Sequence, residues 1–569
     1  MKNKVVSIRQ AIEKNITPGM TLHIGLEAGA GARELARTFW GKKTDFTLIM
    51  NMIGGHHALS LIHGQLVKKL IFATCADIFP RPYPNPVIQR AFKEKTIELE
   101  NWSMLSLIQS LQAGALNLPY AVTRSIIGSS LAEENSHSFK VVDDPFGTGE
   151  KIGLIKALNP DISIIHGWAA DPQGNLIMAA PPRDAWGAKA SRKGIIVTVE
   201  KLVSEDFIRE HSLLVKIPGS LVNAVCVAPR GAHPQNLNAQ SLPEFEGYGL
   251  DKEFLKTLRK ASENAETLEQ WVQEWVLEGG THEEYLAKLE LQANSSPPNS
   301  LKDKPAIAIE TNGIIENREE QPPTPSEHAI IAGAREIRDL VLKNNYKTMF
   351  AGIGISGLAG WCAYYLLKEQ DYHIDLIAGG IGYQPCPGDP LLISPANMAT
   401  AKMISDSFDV HGVSAGGINS GCIGVLGAGQ LDKEGNINST IIRTSSKGDI
   451  YLAGAGGGND IASVTREVVI VAVQRANRLV EKVSYITCPG TRVGTLVTNE
   501  GVYVKNGTDF VLTGYFSTPG SSFEERINEI KETCGWALQT LPRMEILASP
   551  TPEELNLVRS FDPEKVFIK

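Results

Sequence analysis

The chain has 569 residues, 55 Lys and Arg against 63 Asp and Glu, 43% hydrophobic residues, 53 Gly and a net charge of −8. One hydrophobic core does not grow to that length, so two or more domains are expected of a composition that is neither fibrous nor disordered overall. The acidic balance leaves no basic stripe for a nucleic acid, and no stretch approaches the roughly 18 apolar residues of a membrane span.

The opening stretch MKNKVVSIRQAIEKNITPGM reads as an amphipathic helix ending in a Pro-Gly turn, without an apolar leader, so a cytoplasmic location is expected. The runs TLHIGL and FTLIMNM have strand length and composition. Gly54-Gly55-His56-His57 follow the second. Paired histidines there could titrate near neutral pH or bind a metal, but no further ligand is spaced with them, and no metal is expected. VIQRAFKEK reads as a helix, and Leu99-Glu100-Asn101-Trp102-Ser103 leads into another, SMLSLIQSLQAGAL. The plain reading of Ser103 is the N-cap of that helix and of Glu100 a solvated acid, with catalytic roles as the alternative. DISIIHGW, GIIVTVE and AVCVAP are further strands.

Residues 292–326 are proline-rich, polar and charged, and are read as a linker between domains at 1–291 and 327–569. Beyond it, TMFAGIGI, HIDLIAGG, CIGVLGAG, VVIVAVQ and YITCPG read as strands and GLAGWCAYYLLKE as a helix. Continuous apolar strands separated by helices predict largely parallel, open α/β sheets on both sides of the linker. The halves also echo one another. Asp171 to Asn175 and Asp432 to Asn436 both follow a strand as Asp-x-x-Gly-Asn, and each precedes a Pro-Gly, at Pro218-Gly219 and Pro489-Gly490. Each copy alone is a tight turn; their recurrence in order predicts two copies of one fold in tandem.

Glycines follow strands at Gly352, Gly354 and Gly357, at Gly379-Gly380, and at Gly454 to Gly458. Singly each cluster is a turn; together they are candidates for a backbone-lined crevice able to approach an anion or oxyanion. The seven cysteines are scattered without CxxC spacing, which predicts neither disulfides nor zinc; they read as small core residues, with catalysis by one of them as the alternative.

With these motifs in hand, the chain resembles class I CoA-transferases of the glutaconate CoA-transferase type, the two usual subunits being fused through the linker. The first half resembles the larger subunit in LENWS, NLPYAVTRSIIGSSL, PFGTGEKIGLIKALNPDISIIHGWAADPQGN and IPGSLVNAVCVAPRGAHP; the second resembles the smaller in VLGAGQLDKEGNINST, YLAGAGGGNDIASVTREVVIV, KVSYITCPG and VRSFDPEKVFI. The resemblance implies an acyl-CoA substrate, no cofactor beyond that CoA, and a homodimer of the fused chain. It also implies a glutamate, in a Glu-Ser-Gly element ending a strand, that forms both covalent intermediates of CoA transfer. The matching strand here is HIDLIAGG, where the position falls at Ala378, or at Ile377 without a gap, and no glutamate stands there.

Relatives lacking that glutamate decarboxylate glutaconyl-type CoA esters or hydrolyse a ring next to the thioester. The decarboxylating relatives carry a cysteine at the glutamate position, whereas Cys386 lies further along in YQPCPGDP; the hydrolytic relatives use an acid whose counterpart is Met104. Glu100, His56 and Ser103 are the substitute catalytic candidates. Gly25, Gly54, Gly55, Gly354, Ala378, Gly379, Gly380, Gly456, Gly457, Gly458 and Asn459 are the candidates for contacting CoA. The expected function is decarboxylation or hydrolysis of an acyl-CoA, with true CoA transfer as the alternative and non-catalytic acyl-CoA binding as a second one.

Overall fold

Val, Ile and Leu runs that cannot be solvated on either face set the architecture of the computed structural model, which describes residues 3–53, 56–77, 79, 82–239, 242–293, 321–391, 395–444 and 448–569. The first sheet has nine strands: β1 (Thr21–Ile24), β2 (Phe46–Met52), β3 (Val67–Thr74), β4 (Glu98–Asn101), β5 (Ile162–Ala170), β6 (Leu176–Met178), β7 (Ile195–Leu202), β8 (Val215–Ile217) and β9 (Val222–Val227). Their order is β8-β6-β5-β1-β2-β3-β4, with β7 pairing both β5 and β9. All pairings are parallel except those of β6. Every residue of β5 is buried, as a central parallel strand requires.

The second sheet has ten strands: β10 (Thr348–Ala351), β11 (Asp375–Ala378), β12 (Ile381–Tyr383), β13 (Met403–Ile404), β14 (Cys422–Leu426), β15 (Glu467–Val471), β16 (Val493–Val497), β17 (Gly501–Asn506), β18 (Asp509–Tyr515) and β19 (Gln539–Ile546). They run in the order β13-β12-β11-β10-β14-β15-β16-β17-β18-β19, parallel from β11 to β16, with antiparallel pairings at β12, β13, β17 and β18 and a parallel pairing of β19 with β18. The fold is therefore two open α/β units with mostly parallel sheets. In each, the chain leaves the first strand on one side and returns on the other, at β1 between β2 and β5 and at β10 between β11 and β14. The carboxyl ends of such reversal points are where open α/β sheets bind ligands.

The recurring motif builds the same frame twice. Asn175 N donates to Asp171 Oδ1 at 2.9 Å and Gly219 N to Asn175 Oδ1 at 2.9 Å. Asn436 N donates to Asp432 Oδ1 at 2.9 Å and Gly490 N to Asn436 Oδ1 at 2.9 Å. The aspartate closes the turn and the asparagine ties it to the Pro-Gly element.

The opening helix spans Ile8–Asn15, capped by Ser7, and ends ahead of Gly19, as its sequence predicts. YITCPG is not a strand. Thr487 N and Cys488 N both donate to Ile437 O, and the chain then enters the 3-10 turn Gly490–Arg492. The compact units also differ from the division at 1–291, 292–326 and 327–569. Among the described residues, one comprises residues 3–123, 134–293 and 444–456; the other comprises residues 124–133, 321–443 and 457–569. The exchange follows from hydrogen bonding. Cys75 N donates to Ala453 O and Gly456 N to Ala73 O, both at 2.9 Å, in the first unit. Ser130 N donates to Ile486 O at 2.9 Å in the second. Residues 294–320 of the expected linker lie outside the described residues.

Candidate functional site

In the first unit the end of β4 organises one cluster. Asn101, the last residue of β4, donates from Nδ2 to Ala73 O at 2.9 Å and accepts Ala455 N on Oδ1 at 2.9 Å. It thereby holds the glycine-rich segment 453–456 against β3. Gly454 has φ +87°, and a Cβ there would lie 2.9 Å from Ala73 O, so backbone this close tolerates no side chain. Gly456 O accepts Met104 N at 2.8 Å, which brings Gly456 to the start of the helix Met104–Ala115.

Ser103 caps that helix. Its buried hydroxyl accepts Ser106 N at 3.2 Å and donates to Ser106 Oγ at 2.7 Å, so the plain reading of this serine matches its geometry. Glu100 is buried, not solvated. Oε1 accepts Trp102 Nε1 at 2.8 Å, and Oε2 lies 2.6 Å from Lys69 Nζ and 3.3 Å from His137 Nε2. Gly54 and Gly55 lie outside the described residues. His56 opens the helix His56–His63, and its side chain is likewise outside the description.

Gly25 follows β1, and β2 and β3 stand between β1 and β4. At about 4.8 Å per strand this separates Gly25 from the Asn101 cluster by roughly 14 Å. A different cluster surrounds Gly25, one that the sequence did not single out. Leu26 N donates to Asp184 Oδ2 at 2.9 Å, and Arg183 Nη1 donates to Glu27 Oε1 at 3.4 Å. The Glu27 side chain is only 12% exposed. Burial first, then the charge of Asp184, push its carboxyl up to about 7 against the opposing pull of Arg183. The available signal was an acid directly between strand and helix in HIGLEAGAGAREL, at a reversal point of the sheet.

In the second unit, Ala378 is the last residue of β11 and fully buried, and Ile377 before it is buried as well. Gly379 and Gly380, with φ +55° and +94°, then turn the chain into β12. The strand and turn are present without an ionisable side chain at either position. Gly354, φ +82°, precedes the helix Ile355–Lys368. Gly457 and Gly458 lead the helix Gly458–Val464; a Cβ on Gly457 would lie 2.7 Å from His411 Nε2. Asn459 serves the backbone: Nδ2 donates to Thr487 O at 2.7 Å and Oδ1 accepts Ile126 N at 2.8 Å.

Cys386 is buried, its thiol raised by that burial, with Gln384 O at 3.9 Å. Among the described residues no group of three or more His, Cys, Asp or Glu side chains could hold a metal ion, and no helix is long and apolar enough to cross a membrane.

A family model described as coenzyme A transferase matches residues 5–228. The first of the two polypeptides of glutaconate CoA-transferase from Acidaminococcus fermentans is 32% identical over 307 residues, covering 50% of this chain and 92% of that protein. The second of the two polypeptides of 3-oxoadipate CoA-transferase from Pseudomonas knackmussii is 28% identical over 257 residues, covering 42% of this chain and 92% of that one. The acyl-CoA transferase of Escherichia coli O157:H7, solved as a thioester complex with CoA, shares the fold with a TM-score of 0.66 and 16% identity over 98% of this chain and 97% of its own.

Proposed function

The chain belongs to the coenzyme A transferase family as an enzyme with both kinds of subunit fused in one polypeptide, and from that premise we propose that it decarboxylates or hydrolyses an acyl-CoA thioester. The observation that carries this reading is Ala378: a buried methyl group ends β11, followed by a positive-φ glycine turn. A methyl group forms no acyl anhydride, so the two covalent intermediates of CoA transfer have no partner there.

Decarboxylation needs no nucleophile. The carbon–carbon bond to the carboxylate breaks, its electron pair moves into an enolate delocalised onto the thioester oxygen, CO₂ leaves, and a proton is returned to carbon. Hydrolysis proceeds through an oxyanion on a carbonyl attacked by water. Both gain from backbone N–H groups aimed at the developing negative charge. The glycine elements at Gly379-Gly380 and Gly457-Gly458 in the second unit are the candidate donors, since the N–H groups of Gly25 and Gly456 are already given to Ile164 O and Ala73 O. Glu27 is the preferred proton-holding acid, since its carboxyl ionises near 7. Glu100, with both oxygens held by Lys69, His137 and Trp102, is the weaker candidate. In this reading the enzyme works in the cytoplasm as a homodimer and needs no cofactor beyond the CoA of its substrate.

True CoA transfer is the second reading, favoured by the names of the relatives matched. One experiment separates the two: acyl-CoA esters are incubated with and without acetate, with CO₂ and free CoA followed and borohydride added. Product without an acceptor acid, and no inactivation by borohydride, is expected. Acetate-dependent exchange with borohydride inactivation overturns the proposal.

A further inference from the structure

The repeated frame lets the two units be compared residue by residue. Ile195 pairs with Val222 in the first and Val468 with Val493 in the second. This register sets Lys193 against Arg466, Asp161 against Cys422 and Leu221 against Arg492. The backbone agrees, Lys193 N donating to Asp161 O at 2.8 Å and Arg466 N to Cys422 O at 2.9 Å. In the first unit the cation is neutralised, with Lys193 Nζ 3.2 Å from Asp161 Oδ1. In the second, cysteine replaces that aspartate and arginine replaces the leucine. The frame folds in the first unit without this excess charge, so folding alone does not call for it.

The second unit's cations are held by carbonyls, which fix their direction without cancelling their charge. Arg466 Nη2 donates to Ile418 O at 2.9 Å, Arg492 Nη1 to Thr465 O at 2.9 Å, and Lys505 Nζ to Gly490 O at 2.8 Å. The three line an open cavity of about 630 Å³ with Tyr346, Glu467 and Gly494. Glu467 is the carboxylate of that lining, and its Oε2 accepts Tyr346 OH at 2.9 Å. A Cβ on Gly494 would stand 2.6 Å from Glu467 Oε1, so the glycine keeps the cavity clear. Burial, then the charges of Arg124 and Arg466, lower the Arg492 guanidinium from its ordinary value; burial also lowers Lys505, against the pull of Asp432, Glu434 and Asp509.

Tyr346 precedes β10, Arg466 precedes β15 and Arg492 precedes β16, so the cavity sits at the amino ends of these parallel strands. Ala378 is the carboxyl end of β11, which runs parallel to β10, so it lies at the opposite end of the strands.

We propose that this cavity binds a phosphate-bearing small molecule through Arg466, Arg492 and Lys505. Two guanidinium forks and an ammonium, with N–H donors left over, suit a phosphoryl group better than a carboxylate. The inference does not rest on which reaction the enzyme performs, and its test is binding without turnover.

The full-length protein is titrated calorimetrically with sodium pyrophosphate at low ionic strength, and a single saturable site per chain is expected. Arg492→Gln and Arg466→Gln should each weaken binding about tenfold or more, whereas Lys193→Gln, at the equivalent place in the first unit, leaves it unchanged. Arg466 is exposed, so its variant tests the site without disturbing the core. Absence of saturable binding, indifference to Arg466→Gln and Arg492→Gln, or an equal loss in Lys193→Gln overturns the proposal. Competition identifies the source of the phosphate. Displacement of pyrophosphate by CoA but not by dephospho-CoA assigns the site to the phosphorylated end of CoA, and simultaneous binding of CoA and pyrophosphate assigns it to a separate phosphorylated molecule.

Discussion

Arg183 Nη1 lies 3.4 Å from Glu27 Oε1 beside the carboxyl end of β1, while Asp184, next in the chain, holds Leu26 N on Oδ2 at 2.9 Å. Two acids thus share a largely buried corner with one guanidinium, and the carboxyl of Glu27 is raised from 4.5 to about 7. Folding therefore favours its protonated form. The resulting stability is fully present below about pH 4.5 and is lost as pH rises through about 7. Glu27→Gln should remove this slope, so the stability difference between wild type and variant changes by roughly 1–3 kcal/mol across that window. Denaturant unfolding of both proteins at a series of pH values reads it. A difference that does not vary with pH sinks the assignment.

A second pH response runs the other way. The Arg33 guanidinium lies 3.7 Å from the centroid of the Tyr285 ring, and Tyr285 OH is 2.7 Å from His233 Nδ1. His282 Nε2 donates to Pro229 O at 2.8 Å. Burial first, with the Arg33 charge adding to it, lowers His233 and His282 to about 4. A depressed imidazole stabilises the fold above its unfolded value of about 6.5, and that contribution is lost as pH falls from there through about 4. Protection factors in the helix His282–Ala293, corrected for the intrinsic pH dependence of amide exchange, should fall as pH drops over this range, and His282→Gln should flatten the response. Protection factors unchanged down to pH 4 would count against buried neutral imidazoles.

Asn101 joins β3, β4 and the segment 453–456 through one amide group. Asn101→Ala leaves Ala455 N without its acceptor, while Ala73 O keeps Gly456 N, at a cost of about 1–3 kcal/mol. Asn101→Asp keeps the acceptor for Ala455 N but faces two carbonyl oxygens, Phe72 O and Ala73 O, with a carboxylate. Both variants should lower the melting temperature, and amide exchange at Ala455 and Gly456 should quicken most. A uniform loss of protection across both units would show that the amide has no local role.

What the sequence disclosed depended on how local the chemistry was. The Asp-x-x-Gly-Asn turns are closed within four positions, so Asp171 and Asp432 announced the repeated frame directly. Ser103 caps its helix through Ser106 N, three positions on, and its role was readable for the same reason. Glu27 was not, because Arg183 lies 156 positions away and nothing near the glutamate marks it as buried. Glu100 looked solvated because Lys69 and His137, which pair with it, come from other elements. The exchanged segment 444–456 escaped because its hydrogen bonds to Ala73 and Cys75 depend on register, not composition. The excess charge of Arg466 and Arg492 becomes visible only when the paired strands set them against Lys193 and Leu221.

With Ala378 standing where the resemblance places a glutamate, Cys386 is the obvious alternative nucleophile, and its surroundings argue against that role. The thiol is 6% exposed, burial raises it from its ordinary value, and no cation or histidine is found beside it among the described residues. A thiol without a base or a positive field carries little thiolate at neutral pH. Cys386→Ala should retain more than about half of the wild-type kcat on whichever acyl-CoA is turned over, since removing a structural thiol perturbs packing alone. Iodoacetamide at neutral pH should likewise leave activity intact over the time that alkylates a free cysteine in solution. Complete inactivation of wild type by iodoacetamide, together with resistance of the Cys386→Ala variant and a loss of its kcat on the order of 10³-fold or greater, would make Cys386 the nucleophile and overturn a reaction without a covalent intermediate.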